Sequence, residues 1–172
     1  MAVVNPDHLL DQAEQLFQLL HPGRALRQAD RRRAISSAYY AVFHFVLTEG
    51  ADLFVGAERR KLPRYALVYR GVDHSALRRL CEEVIKPQPS TKYRKYFPEG
   101  GFGPDMQAFA GAVLELREKR EIADYDPSQW IKATDATGAI ATARSAISLF
   151  KAASPEGQRR RVFLTLLFFP PR

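Results

Sequence analysis

Between Arg33 and Glu49 the chain carries no Asp, Glu, Lys or Arg. The stretch runs from Ala34 through Tyr39-Tyr40-Ala41-Val42-Phe43-His44-Phe45 to Leu47. A run this free of charge has to be mostly buried. At 100° per residue, Ile35, Ala38, Tyr39, Val42, Phe45 and Val46 line one continuous face. Arg33, Ser37, Tyr40 and His44 line the roughly opposite face, and Ser36, Tyr40, Phe43 and Leu47 form a row between them. A helix apolar on most sides sits at the centre of a fold, or is shared between a core and a partner. The pattern predicts that helix from about Ala25 to about Leu47, with a break from Glu49-Gly50 to Gly56.

The flanking segments read as helices that cover it. Asn5-Pro6 starts one, with Leu9, Leu10, Ala13, Leu16, Phe17 and Leu20 at helical spacing and His21-Pro22-Gly23 as its end. Leu62, Tyr65, Ala66 and Tyr69 suggest a short helix. Asp73 or Ser75 caps the next, whose apolar face is Leu77, Leu80, Cys81, Val84 and Ile85, and Pro87 stops it. Pro104 opens another with Met106, Phe109, Ala110, Val113 and Leu114 inward. The same spacing then meets Arg117, Arg120, Glu121 and Asp124, so charges replace apolar residues on the inward row. Buried charge is costly unless paired or functional. Asp126-Pro127 ends this helix. Thr134 or Asp135 caps a further one with Ala136, Ala139, Ile140, Ala143, Ile147 and Phe150 inward. Ser154-Pro155-Glu156 begins a last segment with an apolar end, Val162 to Phe169. The expectation is an all-α fold of four to six helices. Residues 1–154 form the bundle, with an irregular loop over 86–103. Residues 155–172 form a C-terminal helix or tail that packs on it or makes an oligomer contact.

The formal net charge is +7, which favours an acidic partner, nucleic acid above all. Inside the Pro- and Gly-rich loop lies Lys92-Tyr93-Arg94-Lys95-Tyr96, basic residues interleaved with aromatics. That chemistry suits stacking on bases with pairing to phosphates. The glycine-rich phosphate loops, the nucleophile elbow of serine hydrolases, and His or Cys spacings for a metal are all missing from the sequence. No cofactor is expected. The single Cys81 excludes an internal disulfide and suits a reducing compartment. The opening Met-Ala-Val-Val-Asn-Pro has no leader pattern, and no apolar run is long enough to span a bilayer. A cytoplasmic protein is therefore expected.

Two stretches carry a resemblance. Arg32-Arg33-Ala34-Ile35-Ser36-Ser37-Ala38-Tyr39-Tyr40-Ala41-Val42-Phe43-His44 resembles the second helix of prokaryotic HEPN domains. Arg117-Glu118-Lys119-Arg120-Glu121-Ile122-Ala123-Asp124-Tyr125-Asp126-Pro127, about 80 residues downstream, resembles the "RxxRxxADYD" segment of the same kind. The resemblance implies an antiparallel up-and-down helical bundle that forms homodimers and associates with RNA or nucleotides. Many such proteins are metal-independent endoribonucleases of toxin or defence systems. Others are non-catalytic partners of a minimal nucleotidyltransferase or an antitoxin. The ribonuclease members place a His shortly after an Arg–polar pair. Here that pair is Arg117-Glu118, and Ile122, Ala123 and Asp124 stand where the His would fall. Metal-free RNA cleavage needs a base, an acid and a cation. The candidate catalytic set is Arg117, His44, Tyr40 and Asp124. The candidate RNA or nucleotide contacts are Arg33, Arg117, Arg120, Lys92, Tyr93, Arg94, Lys95 and Tyr96. Arg33, Tyr40 and His44 are expected to meet Arg117, Arg120 and Asp124 across two helices.

Overall fold

The computed structural model describes residues 4–18, 27–153 and 158–171. They form α1 (Pro6–Gln18), α2 (Gln28–Val55), a 3-10 turn (Ala57–Arg59), α3 (Pro63–Tyr69), α4 (His74–Ile85), α5 (Thr91–Arg94), α6 (Gly103–Tyr125), α7 (Ala133–Ala152) and α8 (Gln158–Phe168). The fold is all-helical among the described residues, with eight α-helices where four to six were expected. The surplus comes from short pieces, because α3 and α5 span only 7 and 4 residues. The expected helix end at His21-Pro22-Gly23, the expected start of the long helix at Ala25 and the Ser154-Pro155-Glu156 start lie outside the described residues. No described helix is long and apolar enough to cross a membrane.

The central helix is α2. It spans 28 residues, about 42 Å at 1.5 Å per residue. It packs against α1, α3, α6, α7 and α8. Ile35, Ala38, Tyr39, Val42 and Val46 are each at most 1% exposed, so its apolar stripe is sealed. The rows beside the stripe are covered too, since Ser36, Ser37, Phe43 and Leu47 are buried. From Ala34 to Leu47 no residue of the helix is exposed, which dictates neighbours on every side of that stretch.

The expected break at Glu49-Gly50 does not occur. Backbone hydrogen bonding continues to Val55, and the helix ends at Gly56, whose φ of 105° favours glycine. Gly50 is buried inside α2 because the Phe168 ring of α8 lies where a Cβ would stand. Here glycine serves close packing between helices rather than a stop.

Periodicity places α4, α6 and α7 correctly, although Ile85, expected on the inner face of α4, is exposed, and Leu116 rather than Leu114 is the buried leucine of α6. Asp73 caps α4 by accepting from the Ala76 N–H at 2.6 Å. At α7 the helix begins one residue before Thr134. Asp135 acts from the first turn, its carboxylate accepting from the Lys132 N–H at 2.7 Å. Ala136, Ala139, Ala143 and Ala146 are fully buried, so small side chains bring α7 close to its neighbours. Phe150 of α7 meets Phe45 of α2, Phe109 of α6 and Phe163 of α8 edge-on, with ring centroids 5.4, 4.9 and 5.9 Å away. Four helices are thus keyed into one aromatic cluster.

The 86–103 segment is less irregular than its Pro and Gly content suggests. Glu83, 8% exposed, accepts from Lys86 Nζ at 2.5 Å and the Ser90 N–H at 2.8 Å. Tyr93 and Phe97 are half-buried, and Phe97 packs 4.7 Å from Phe102, itself buried at the start of α6.

Removing the Phe150 ring empties a fully enclosed site bounded by three other rings. Phe150→Ala is expected to cost about 3–5 kcal/mol, read as a lower urea midpoint with an unchanged m-value.

Candidate functional site: a polar seam between α2 and α6

Two rows with a spacing of four residues face each other across α2 and α6. On α2 the row is Arg32, Ser36, Tyr40; on α6 it contains Arg120 and Asp124. Ser36 Oγ donates to Asp124 Oδ1. One turn along α2, and one turn back along α6, Arg120 Nη2 donates to the Tyr40 hydroxyl at 2.6 Å. Arg120 also pairs with Asp124 within its own helix, Nε to Oδ2 at 2.7 Å. Its guanidinium carbon lies 5.2 Å from the ring centres of both Tyr40 and Tyr125. Burial works against the charge, yet Tyr40, Asp124 and Tyr125 outweigh it and raise the guanidinium pKa. Arg120 is therefore a fixed cation with an aromatic ring on each side.

Arg117 lies about one turn earlier on α6. It pairs with Glu121 at 2.5 Å, and that carboxylate side chain is 44% exposed. Such a half-wet i,i+4 pair contributes only a few tenths of a kcal/mol and exchanges readily for another anion.

Histidines complete the seam from the other side. His44, one turn beyond Tyr40, stacks on its ring at 6.2 Å and shares a 2.7 Å hydrogen bond, through Nδ1, with the Tyr69 hydroxyl of α3. His74, the first residue of α4, packs 4.0 Å from Phe43 and shares a 2.9 Å hydrogen bond with the Tyr39 hydroxyl. Burial lowers the His74 pKa, and the Arg120 and Arg117 charges lower it further. Burial, then the neighbouring His74, lowers that of His44. Both rings are thus neutral at pH 7, while burial holds the Tyr39 phenol protonated. The seam offers two arginines, two neutral imidazoles and several hydroxyls. That set can bind an anionic phosphate and exchange a proton with it.

Arg33 is not part of this seam. It is exposed, and the adjacent Arg32 takes the inward position, because one residue of helix is a 100° rotation. Arg32 donates to the main-chain oxygens of Ala123, Asp126 and Gln129 at 2.8, 2.9 and 2.6 Å. These include carbonyls at the end of α6 that the helix itself leaves free. Of the expected row Arg33, Ser37, Tyr40 and His44, the last two do line the seam, whereas Arg33 is exposed and Ser37 is buried in the core, and Arg32 and Ser36 stand in their places.

The basic–aromatic segment is elsewhere. Lys92, Arg94, Lys95 and Tyr96 are exposed, with Lys95 Nζ 4.8 Å over the Tyr96 ring. Tyr93 packs towards Phe97, which in turn contacts Phe102. From Phe102 to Arg120 the helix rises about 27 Å, so this segment and the seam occupy opposite ends of α6.

Ser36, Tyr39, Tyr69, His74 and Tyr125 escaped the sequence reading as site residues. The four-residue step from Arg32 to Tyr40 was a usable signal for Ser36. His74 gave none, since it follows a cap and belongs to no periodic row. Among the described residues no group of three or more His, Cys, Asp or Glu side chains is gathered for a metal ion.

No family model, curated protein or solved structure matches this chain.

Two outcomes follow from this geometry. Arg32→Lys, which cannot reach several carbonyls at once, is expected to lose about 2 kcal/mol of stability, whereas Arg33→Ala changes it by less than about 0.5 kcal/mol; paired urea titrations separate them. The histidines set a pH dependence. Their folded pKa values lie below the ordinary 6.5, so on acidification through 6.5 the unfolded chain takes up protons that the fold refuses. Stability is therefore full above that pH and falls below it, down to the folded values. The double variant His44→Gln, His74→Gln is expected to flatten the slope of urea midpoint against pH between 7 and 5.

Proposed function

We propose that the protein is an RNA-binding helical bundle of the HEPN kind, its helices running up and down in antiparallel order. The observation that carries this reading is the 2.6 Å bond from Arg120 to the Tyr40 hydroxyl. It joins the two stretches whose motifs resemble that family, and it does so at the polar positions of each. Support also comes from the +7 charge and from the weakly held Arg117. A phosphate displaces Glu121 from Arg117 and meets Arg120 one turn on. The protein acts in the cytoplasm as a homodimer, and the reading requires no cofactor.

The enzymatic form of this proposal is a metal-independent endoribonuclease. A base takes the proton of the 2′-hydroxyl, O2′ attacks phosphorus, and O5′ departs with a proton from an acid while an arginine balances the phosphorane charge. Arg117 serves as that cation. His44 and His74 are the groups able to move protons: one acts as the base in its neutral form and the other as the acid once it has taken a proton from solvent, with Tyr40 positioning Arg120. Asp124 has both oxygens engaged, by Ser36 and Arg120, so its part is to orient the arginine.

The exposed Leu67 at 76% and Leu62 at 39%, both at α3, favour a second reading. In it the bundle is a non-catalytic partner of a minimal nucleotidyltransferase or an antitoxin, docked through that apolar surface.

Fluorescence anisotropy with a labelled single-stranded RNA is the deciding measurement. Log affinity is expected to fall linearly with log salt, and Arg117→Ala to weaken binding and reduce the slope by roughly one. Incubation of RNA with pure protein in excess chelator tests the enzymatic form. Cleavage abolished in Arg117→Ala supports it, and intact RNA after long incubation removes it. Stable co-purification with a nucleotidyltransferase or antitoxin, disrupted by Leu67→Asp, favours the second reading.

A further inference from the structure

Where α6 ends, the chain crosses the start of α2 before entering α7, and this crossing is unusually well tied. Arg32 holds the Ala123, Asp126 and Gln129 oxygens. Gln28 grips Ile131 twice, donating to its oxygen at 2.7 Å and accepting from its N–H at 3.0 Å. Asp126 accepts from both the N–H and the hydroxyl of Ser128. The backbone is thus set in one conformation before any ligand arrives, which removes an ordering cost from binding.

In front of this crossing is an open cleft of about 620 Å3, lined among others by Arg32, Asp124, Tyr125, Gln129 and Trp130. That size is within the range of small-ligand sites. Tyr125 is 70% exposed and Trp130 is 71% exposed, although aromatic side chains are the strongest contributors to a core. Other aromatics of the chain do go inward, among them Tyr39, Tyr65, Phe102, Phe109, Phe150 and Phe163. Two large flat rings are instead left open to solvent on one rigid cleft. Each has a guanidinium beside it: Arg31 lies 5.9 Å from the Trp130 ring centre and Arg120 lies 5.2 Å from that of Tyr125.

Resting on the RNA-binding reading above, we infer that this cleft receives an unpaired nucleobase of single-stranded RNA, stacked on Trp130 and Tyr125, with its flanking phosphate directed to Arg120 and Arg117. Flat rings next to cations match a ligand that is planar and anionic in adjacent parts, which a nucleotide is and an apolar peptide side chain is not. Duplex RNA hides its base faces, so the cleft discriminates in favour of single strands. The Asp124 carboxylate on the cleft wall and the Arg120 guanidinium offset one another, so Arg120 serves the phosphate as a hydrogen-bond donor while the net positive charge comes from Arg117, whose Glu121 partner is half-exposed, and from Arg31 beside Trp130.

Trp130 is the single tryptophan of the sequence, so emission excited at the red edge, where tyrosine does not absorb, reports on this cleft alone. The full chain is titrated with an unlabelled single-stranded oligoadenylate while tryptophan emission is followed, and with the same oligomer end-labelled while anisotropy is followed. Quenching that saturates at the anisotropy Kd is expected. Tyr125→Ala and Trp130→Ala are each expected to weaken binding about ten-fold, Trp130→Phe to retain most of it, and a duplex of equal length to bind more weakly. Both positions are exposed, so thermal midpoints stay near wild type. Binding by anisotropy with unchanged Trp130 emission and an unaffected Tyr125→Ala variant overturns the base cleft while the RNA-binding reading stands. Equal affinity for duplex and single strand overturns the single-strand assignment. No anisotropy change with any RNA overturns both readings, and protection of Trp130 by a bound protein partner gives the rim to that partner instead.

Discussion

The structure depends on the burial of the middle of α2, from Ala34 to Leu47, on every side. A 28-residue helix with no charge over its middle third has no stable arrangement in water by itself. Its covering helices are amphipathic in the ordinary way, with Leu10 and Ala13 on α1 and Met106, Phe109, Ala110 and Val113 on α6. Each has one face to hide, and α2 supplies the surface against which most of them hide it. The hydrophobic term therefore runs through one element, and the position of everything else follows from which part of α2 it covers.

Polar groups on such a helix are costly, which gives the seam its meaning. Ser36, Tyr40 and His44 leave water when the bundle forms, and each finds a partner on another helix: Asp124 and Arg120 on α6 for the first two, Tyr69 on α3 for the third. The resulting bonds make the register between α2 and α6 specific, since a shift by one residue would set Arg120 against an apolar position. They also collect positive charge, aromatic rings and neutral imidazoles in one place. Core formation alone does not require that collection; an apolar row would have packed as well.

Helices are legible in the sequence where a row of apolar residues repeats at helical spacing, as from Leu77 to Val84, Met106 to Val113 and Ala136 to Phe150. The inward charges of α6 are legible for the same reason, because Arg120 and Asp124 continue a row that had been apolar. Legibility stops where the deciding partner is remote. Gly50 reads as a break because glycine is a local stop signal, and only the Phe168 ring, brought from α8, turns it into a packing position. Arg32 and Arg33 have the same chemistry and adjacent positions, and choosing between them requires the place where α6 ends over α2. His74 carries no local signature, and it enters the seam only because α4 starts beside Tyr39. The Lys92–Tyr96 segment looks like part of the same surface by composition, yet Phe97 and Phe102 anchor it to the other end of α6.

The aromatic cluster around Phe150 has a consequence for how the chain comes into being. Two of the three rings around Phe150 are Phe45 and Phe109, and the third is Phe163, on the helix synthesised after all the other described ones. Phe168 of the same helix closes over Gly50, near the C-terminal end of α2. A ribosome that has released α1 to α7 has therefore exposed a central helix whose cover is unfinished. During that interval the greasiest surface of the protein is open at one end, and the nascent chain is at its most vulnerable to association with other chains. Completion of folding is tied to the last stretch of translation, so truncation upstream of α8 produces an aggregation-prone species rather than a smaller working domain.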